Sequence, residues 1–199
     1  DLMEVMHDQG SLSDEKLKKG VEKMKETVGR MSTIIKGLRN FSLNDRDLPR
    51  KMVPIKELFD EVKTFSAKRL NDTEIQLRLH LDPKDLQVFC NSIQINQILL
   101  NLLNNAYDAL EKLGGQQWIE LRAIAKEKSI EICVIDSGPG IPSEVKEKIM
   151  IPFFTTKDPG KGTGLGLSVS LGIAQDHGGK LYYDEKYPYS CFVLSLPKN

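Results

Sequence analysis

The sequence predicts an α+β fold: a two-layer sandwich in which helices cover one face of a single sheet, preceded by a helical-hairpin segment. Helical and strand periodicities follow one another without regular βαβ alternation, which disfavours a doubly wound parallel sheet. The 199 residues are 40% apolar and 28% charged, which is typical of a soluble globular protein. A polar stretch that ends at Pro49 separates a helical region from the mixed remainder.

The first region predicts a helix that packs against other helices. The alternative is an amphipathic helix that lies on its own globular domain. Apolar residues recur at alternating steps of four and three, the heptad of a bundle or coiled coil: Leu17, Val21, Met24, Val28, Met31, Ile35 and Leu38. Residues 1–6 fit the tail of a preceding helix, with Asp8–Gly10 as the turn. We therefore predict a partial hairpin over residues 1–45, with its second helix at about 13–42, and one domain over 46–199.

The second region alternates between helical and strand periodicities. Apolar residues at helical spacing predict helices over Pro54–Leu70, Ser92–Leu113 and about Leu165–His177. A half-buried strand is predicted by the alternation of Ile75, Leu77, Leu79 and Leu81. Four further strands are predicted at Trp118–Ala125, Ser129–Asp136, Lys180–Asp184 and Ser190–Leu196. Glycine and proline predict a long loop over Ser137–Gly162.

Charge and cysteine content narrow the class of protein. The 28 basic and 28 acidic side chains cancel, so no net charge favours nucleic acid or an anionic membrane as the main partner. Cys90, Cys133 and Cys191 are far apart and odd in number, which favours a reducing cytoplasm over a disulfide framework. No apolar stretch is long enough to span a bilayer. We expect a cytoplasmic segment, whether or not the full protein is membrane-anchored.

The predicted helix Ser92–Leu113 carries an unusual polar face. Steps of four, three and four along the helix place four polar residues together: Asn101, Asn105, Asp108 and Lys112. Lysine and glutamate would be better helix formers on an ordinary surface. An asparagine oxygen suits a hard cation such as Mg²⁺ beside phosphate. The structural alternative is a face that bonds to loop backbone.

Two glycine clusters follow this helix. Asp136 ends a buried strand just before Gly138 and Gly140, where its carboxylate can accept a hydrogen bond from an amine such as that of adenine. An ordinary turn at the end of the strand is the alternative. The glycines of Gly160–Ser168 expose N–H groups at a helix start, which suits a di- or triphosphate. Phe153 and Phe154, between the clusters, fit either a loop anchor or the hinge of a lid.

Together these motifs resemble the asparagine box, first glycine box, phenylalanine box and second glycine box of sensor histidine kinases. The four motifs are Asn101-x-x-x-Asn105-Ala, Asp136-x-Gly-x-Gly140, Phe153-Phe154 and Gly162-Thr-Gly-Leu-Gly-Leu167. The resemblance covers about residues 50–199, and Val28–Ser42 is similar to the second helix of the family's dimerisation and phosphoacceptor hairpin. It implies the ATPase fold that histidine kinases share with gyrase and a heat-shock chaperone.

The resemblance also implies roles for individual residues. Asn105 is expected to hold Mg²⁺, with Asn101 close to the metal and the phosphates, so both are candidate catalytic residues. Asp136 is expected to bind the adenine amine in a pocket that Gly138 and Gly140 shape. Residues 141–162 would form the ATP lid. The other candidate ATP-binding residues are Asp108, Lys112, Phe154, Thr156, Lys157, Lys161, Gly162, Thr163, Gly164, Leu165, Gly166 and Leu167.

The implied reaction passes the γ-phosphoryl group of ATP to a histidine and then to an aspartate of a response-regulator receiver domain, within a homodimer formed by the hairpin. His7, His80 and His177 lack the expected acceptor pattern, so the acceptor helix is expected upstream of Asp1. His177 ends a predicted helix, where the dipole favours its charged form. ATPases of this fold carry a glutamate base at the position that Asn101 occupies in this sequence. The amide of Asn101 cannot take a proton. A nucleotide-sensing or dimerising module without kinase activity is the non-enzymatic alternative.

Overall fold

The computed structural model describes residues 15, 17–24, 27, 49–71, 73–111, 113–158 and 162–198. These residues belong to two compact units: one holds those within 1–42 and 155–163, and the other holds those within 43–154 and 164–199. In the first unit, residues 17–24 are helical, in agreement with the predicted helix at about 13–42. The rest of that helix, the hairpin turn and His7 lie outside the described residues. None of the described helices has the length and apolar character needed to cross a membrane.

The second unit contains the three helices and five strands that the sequence predicts, with small shifts at their ends. The helices are α1 (Ile55–Asn71), α2 (Ser92–Leu110), a short α3 (Ser143–Lys146) and α4 (Gly166–Asp176). The strands are β1 (Lys51–Pro54), β2 (Gln76–Asp82), β3 (Gln87–Cys90), β4 (Trp118–Ala125), β5 (Ser129–Asp136), β6 (Lys180–Tyr183) and β7 (Ser190–Pro197). The sequence did not predict β1, β3 or α3, because four residues are too few for a periodicity to appear.

The main sheet has the strand order β2-β4-β5-β7-β6, in which only the β2–β4 pair is parallel. Strands β1 and β3 pair separately as a small antiparallel sheet. Ile119, Leu121 and Ile132 of the main sheet belong to the same buried core as the helices. The opposite face has a smaller buried cluster of Cys133, Ile135, Cys191 and Val193. Strand β5, in the centre of the sheet, is therefore buried on both faces.

Helix α2 is the central helix and contacts both α1 and α4. Its predicted buried side is confirmed, since Leu99, Leu103 and the other members of this face are at most 4% exposed: Ile98, Leu102, Ala106 and Leu110. Each such leucine stabilises the fold by about 1.5–3 kcal/mol relative to leaving it in water. The side chain of Asn91 caps the helix by accepting from the N–H groups of Ile93 (3.1 Å) and Gln94 (3.3 Å). Since the apolar side of α2 faces the core, the predicted site lies on its polar face.

The expected charged form of His177 is wrong. Its ring is buried, and its Nε2 accepts a hydrogen bond from the backbone N–H of Asn91 at 3.2 Å. The proton therefore lies on Nδ1, which donates to the carbonyl of Ile173 at 2.8 Å. Burial lowers the pKa of His177, and this outweighs the attraction of the helix end for a positive charge. Neutral His177 thus joins the end of α4 to the start of α2.

Candidate functional site

The centre of the candidate site is Asp136, a carboxylate at the end of β5 that is only 5% exposed. Its Oδ1 accepts from the backbone N–H of Gly138 at 2.9 Å. The hydroxyl of Ser190, which faces Asp136 across the β5–β7 pair, donates to the same carboxylate. Burial raises the pKa of Asp136, while these two hydrogen bonds act in the opposite direction. The result is an oriented, poorly hydrated acceptor.

Gly138 and Gly140 occupy positions where a side chain would not fit. A Cβ on Gly138 would lie 2.6 Å from Oδ1 of Asp136 and 3.4 Å from Leu110 Cδ2. Gly140 has a φ of +79°, and its Cβ would lie 2.8 Å from the hydroxyl of Tyr183. That hydroxyl accepts from the N–H of Ile141 at 3.3 Å. The backbone beside Asp136 therefore keeps a surface without side chains, which fits a flat ring.

The polar face of α2 is divided between two neighbouring helices. Asn101 is half-buried, and its Nδ2 donates to the hydroxyl of Ser170 on α4 at 3.0 Å. Asn105, one turn further on, is also half-buried. Asp108 forms an ion pair with Arg69 of α1, with 2.5 Å between its Oδ1 and the arginine Nη2. The structure thus brings Asn101 to the second glycine motif and Asp108 to α1, and Lys112 lies outside the described residues.

The second glycine motif leads into α4, which begins at Gly166. Leu165 is buried and Leu167 packs against the main core. Gly164 has a φ of +66°, and its carbonyl accepts from the N–H of Phe153 at 2.9 Å. Phe153 also has a positive φ, 67°, and its side chain is 62% exposed. The phenylalanine and second glycine motifs therefore meet through their backbones, with Phe154 half-buried beside them.

The described residues of 155–163, which include the first two residues of the second glycine motif, belong to the first unit. The hydroxyl of Thr155 accepts from the N–H of Lys157 at 3.2 Å. A Cβ on Gly162 would lie 3.2 Å from the Cβ of Lys157, so the two residues are close together. Thr156 is exposed and Thr163 is half-buried. Lys161 lies outside the described residues, and the roles of this segment as an ATP lid stay predictions.

Sequence reasoning missed three residues of this arrangement. Ser190 is identified only by the register of β7 against β5, which one sequence does not reveal. Ser170 lies one turn after Gly166, so helical spacing alone could have placed the two side by side. Arg69 is on α1, and the packing of α1 against α2 depends on tertiary contacts.

Comparisons with known proteins identify the family of the chain. Residues 90–199 match the family of histidine kinase-, DNA gyrase B- and HSP90-like ATPases. The chain is 30% identical to the sensor protein FixL of Bradyrhizobium diazoefficiens, over 84% of this chain and 32% of FixL. It is also 30% identical to the sensory histidine kinase/phosphatase NtrB of Rhizobium meliloti, over 86% of this chain and 47% of NtrB. The chain therefore spans less than half of either relative.

Solved structures of histidine kinases share the fold. The catalytic domain of the histidine kinase ThkA is 34% identical, with a TM-score of 0.66 over 76% of this chain and 99% of that domain. ThkA in complex with the response regulator protein TrrA is 31% identical, with a TM-score of 0.70 over 98% of this chain and 55% of that one. These structures confirm the predicted α+β sandwich. By sequence and by fold, the chain belongs to the histidine kinase-, DNA gyrase B- and HSP90-like ATPases, and within them it is the ATP-binding domain of a sensor histidine kinase.

Proposed function

We propose that this segment binds Mg-ATP and transfers the γ-phosphoryl group to a histidine upstream of Asp1, for relay to an aspartate of a response-regulator receiver domain. The observation that carries the proposal is Asp136, a buried carboxylate held by two donors beside glycines whose side-chain positions are blocked. The complex of the relative ThkA with the response regulator protein TrrA supports the proposed partner. In the full protein, we propose that the helical hairpin forms the homodimer.

At the adenine end, Asp136 is the proposed reader of the exocyclic amine. An ionised carboxylate only accepts hydrogen bonds, so it selects a donor such as this amine. Because Gly138 and Ser190 already hold the carboxylate, its side chain loses little conformational freedom when the ring binds. A hydrogen bond to a charged group contributes about 1.5–3 kcal/mol, which corresponds to roughly a tenfold to hundredfold change in affinity.

At the phosphate end, Asn105 is the proposed Mg²⁺ ligand. Magnesium takes few ligands from a protein and completes its shell with water and substrate phosphates. No three His, Cys, Asp or Glu side chains cluster among the described residues, and amide oxygens fit such a sparse ligand set. When bound, Mg²⁺ would neutralise charge on the phosphate oxygens. Asn101 is the weaker candidate ligand, because its Oδ1 lies against Gly166 in the first turn of α4.

Asn101 also bears on the choice between transfer and hydrolysis. Hydrolysis requires a base that takes a proton from water, and an amide cannot act as one. The absence of a base at this position favours transfer to a protein side chain over attack by water.

Nucleotide binding is tested by titration calorimetry of the chain with the non-hydrolysable analogue AMPPNP, with and without Mg²⁺. We expect saturable binding that Asp136→Asn weakens about tenfold or more, by loss of a charged acceptor. Asn105→Ala should weaken binding with Mg²⁺ and have little effect without it. Glu127→Gln is the matched control, since this exposed carboxylate lies in the β4–β5 turn, at the other end of β5 from Asp136. No binding by the folded, unmodified chain would refute the site.

Transfer itself is tested in the full-length protein with ATP labelled at the γ-phosphate. We expect label on the protein that is stable in base and labile in acid, as a phosphorylated histidine is, and its loss in the Asp136→Asn variant. Release of free phosphate without labelled protein would indicate a hydrolase instead.

A further inference from the structure

The helices that carry the asparagine motif and the second glycine motif are joined by a partly buried contact, which we name the Asn101 bridge. It consists of Asn101 on α2 and of Gly166 and Ser170 on α4. The Nδ2 of Asn101 donates to the hydroxyl of Ser170 at 3.0 Å, and Ser170 is only 1% exposed. A Cβ on Gly166 would overlap the carboxamide of Asn101. Only glycine at this position leaves room for the bridge.

A second contact joins the start of α2 to the end of α4. The N–H of Asn91, which caps the start of α2, donates to His177 after the end of α4. The two helices therefore run antiparallel and are tied together at two places. The bridge lies at the end where α4 starts, and Asn105 follows Asn101 by one turn of α2. The bridge thus fixes the position of the proposed Mg²⁺ ligand, Asn105, relative to the glycines that precede α4.

We infer that Ser170 is a positioning residue of the nucleotide site: by holding the carboxamide of Asn101 against Gly166, it sets the first turn of α4 relative to Asn105. The inference rests on the proposed function. Ser170 is too deeply buried to contact a nucleotide, so its influence passes through Asn101. Small displacements of groups that bind phosphate and metal have large effects on binding and catalysis. The loss of a single buried hydroxyl that positions such groups can therefore change nucleotide affinity.

The bridge predicts non-additive effects on nucleotide affinity. We would measure AMPPNP binding to the full chain, with and without Mg²⁺, for Ser170→Ala, Asn101→Ala and the double variant. Each single change should weaken binding about threefold to tenfold in the presence of Mg²⁺, as expected for a neutral hydrogen bond. The double variant should bind no more weakly than the weaker-binding single variant, because both changes break the same contact. Ser170→Thr, which keeps a hydroxyl, should recover part of the affinity.

The Mg²⁺-dependent gain in affinity separates positioning from mere structural support. Ser66→Ala is the matched control, because it removes a comparably buried hydroxyl from α1. It should leave the Mg²⁺-dependent gain unchanged, whereas Ser170→Ala should reduce it. If Ser170→Ala does not fold, Ser170→Cys serves in its place, since a thiol has similar shape and bonds weakly.

Three outcomes decide the inference. Unchanged Mg-AMPPNP affinity in folded Ser170→Ala would overturn it and leave the proposed function intact. Additive losses from Asn101→Ala and Ser170→Ala would also overturn it, because the two residues would then act separately. Failure of the unmodified chain to bind AMPPNP would reject the proposed function itself, and the role of Ser170 with it.

Discussion

At the scale of single residues, the burial of the Asp136 carboxylate favours nucleotide binding and destabilises the fold. Its burial leaves the carboxylate poorly hydrated, and this raises its pKa above the ordinary value of 3.8. The folded state therefore carries a cost for the charged form at neutral pH, which decreases as the pH falls through the raised pKa and is absent below 3.8. A ligand that donates to the carboxylate would offset part of this cost.

We predict that Asp136→Asn raises the midpoint of thermal unfolding at pH 7 while it weakens nucleotide binding. An amide has nearly the same shape and can still accept from Gly138, but it carries no charge to desolvate. The midpoint is measured by circular dichroism during heating, with Glu127→Gln as the control. A lower midpoint for Asp136→Asn would mean that the charge itself stabilises the fold.

His177 gives a pH dependence of the opposite sign. Burial, its largest influence, lowers the pKa from 6.5, and Arg50 acts in the same direction. The stabilisation from neutral His177 is fully present above pH 6.5 and is lost as the pH falls from there toward the lower pKa of the folded state. We predict that the free energy of unfolding decreases over this range, and that the decrease is smaller in His177→Gln. Urea unfolding at a series of pH values measures it.

The control for that series is His80→Gln, since His80 is exposed on β2. It should keep the full decrease. If His177→Gln had the same pH dependence as the unmodified chain, the titrating group would lie elsewhere.

The residue types of the site were predictable, while their partners were not. Asp136 and its glycines stand out because a charged group at the end of a buried strand is unusual. Ser190 contacts Asp136 only because β7 pairs with β5, more than fifty positions along the chain. His177 was assigned the wrong charge state for the same reason: its partner Asn91 is distant in sequence.

At the scale of elements, the sequence predicts long periodic segments well and short ones poorly. Helix α2 was predicted correctly on its buried side, because its 19 residues repeat the pattern several times. Strands β1 and β3 have four residues each and pair only with one another. Their pairing joins segments that are separated in the chain by α1 and β2, and local sequence patterns do not indicate such a contact.

We predict that Gly166→Ala destabilises the protein by about 1–3 kcal/mol, as overpacking of a close contact does. The sign of the change in the free energy of unfolding is informative, because alanine in a helix is otherwise favoured over glycine by roughly 1 kcal/mol. The added methyl group would overlap the carboxamide of Asn101. Urea unfolding measures the change. Gly114→Ala is the control, since no atom lies within 4 Å of the Cβ that it would add.

Combining the change with Asn101→Ala tests the mechanism of that loss. Removal of the carboxamide should recover part of the stability that Gly166→Ala takes away. Gly166→Ala that is as stable as the unmodified chain would show that Asn101 moves aside without cost.

At the scale of the whole molecule, the fold class follows from the sequence and the strand order does not. Mixed periodicities without regular alternation indicated an α+β sandwich. The order β2-β4-β5-β7-β6 requires β2 to pair in parallel with β4 across the intervening α2, and β6 to lie at an edge. These are long-range pairings that carry no local signal.

We predict that residues 46–199 fold without residues 1–45 and keep the same unfolding midpoint and AMPPNP affinity. Among the described residues, the main buried core extends from Val53 to Leu196, and the shortened chain keeps all of these residues. The solved catalytic domain of ThkA matches 76% of this chain, which is comparable in length to the shortened chain. Thermal unfolding and calorimetry of both lengths measure it. A lower midpoint or weaker binding in the shorter chain would show that the first 45 residues contribute to the domain.

The backbone hydrogen bond between Phe153 and Gly164 has a consequence for protein engineering. It fixes both ends of the intervening segment at 2.9 Å from nitrogen to oxygen, so the rest of the domain already closes that loop. Each doubling of a flexible loop then costs only about 0.6 kcal/mol of chain entropy. We therefore expect that a reporter peptide grafted between Asp158 and Gly162 leaves the ends of β5 and α4 in place, whereas it would interrupt the segment predicted to form the ATP lid.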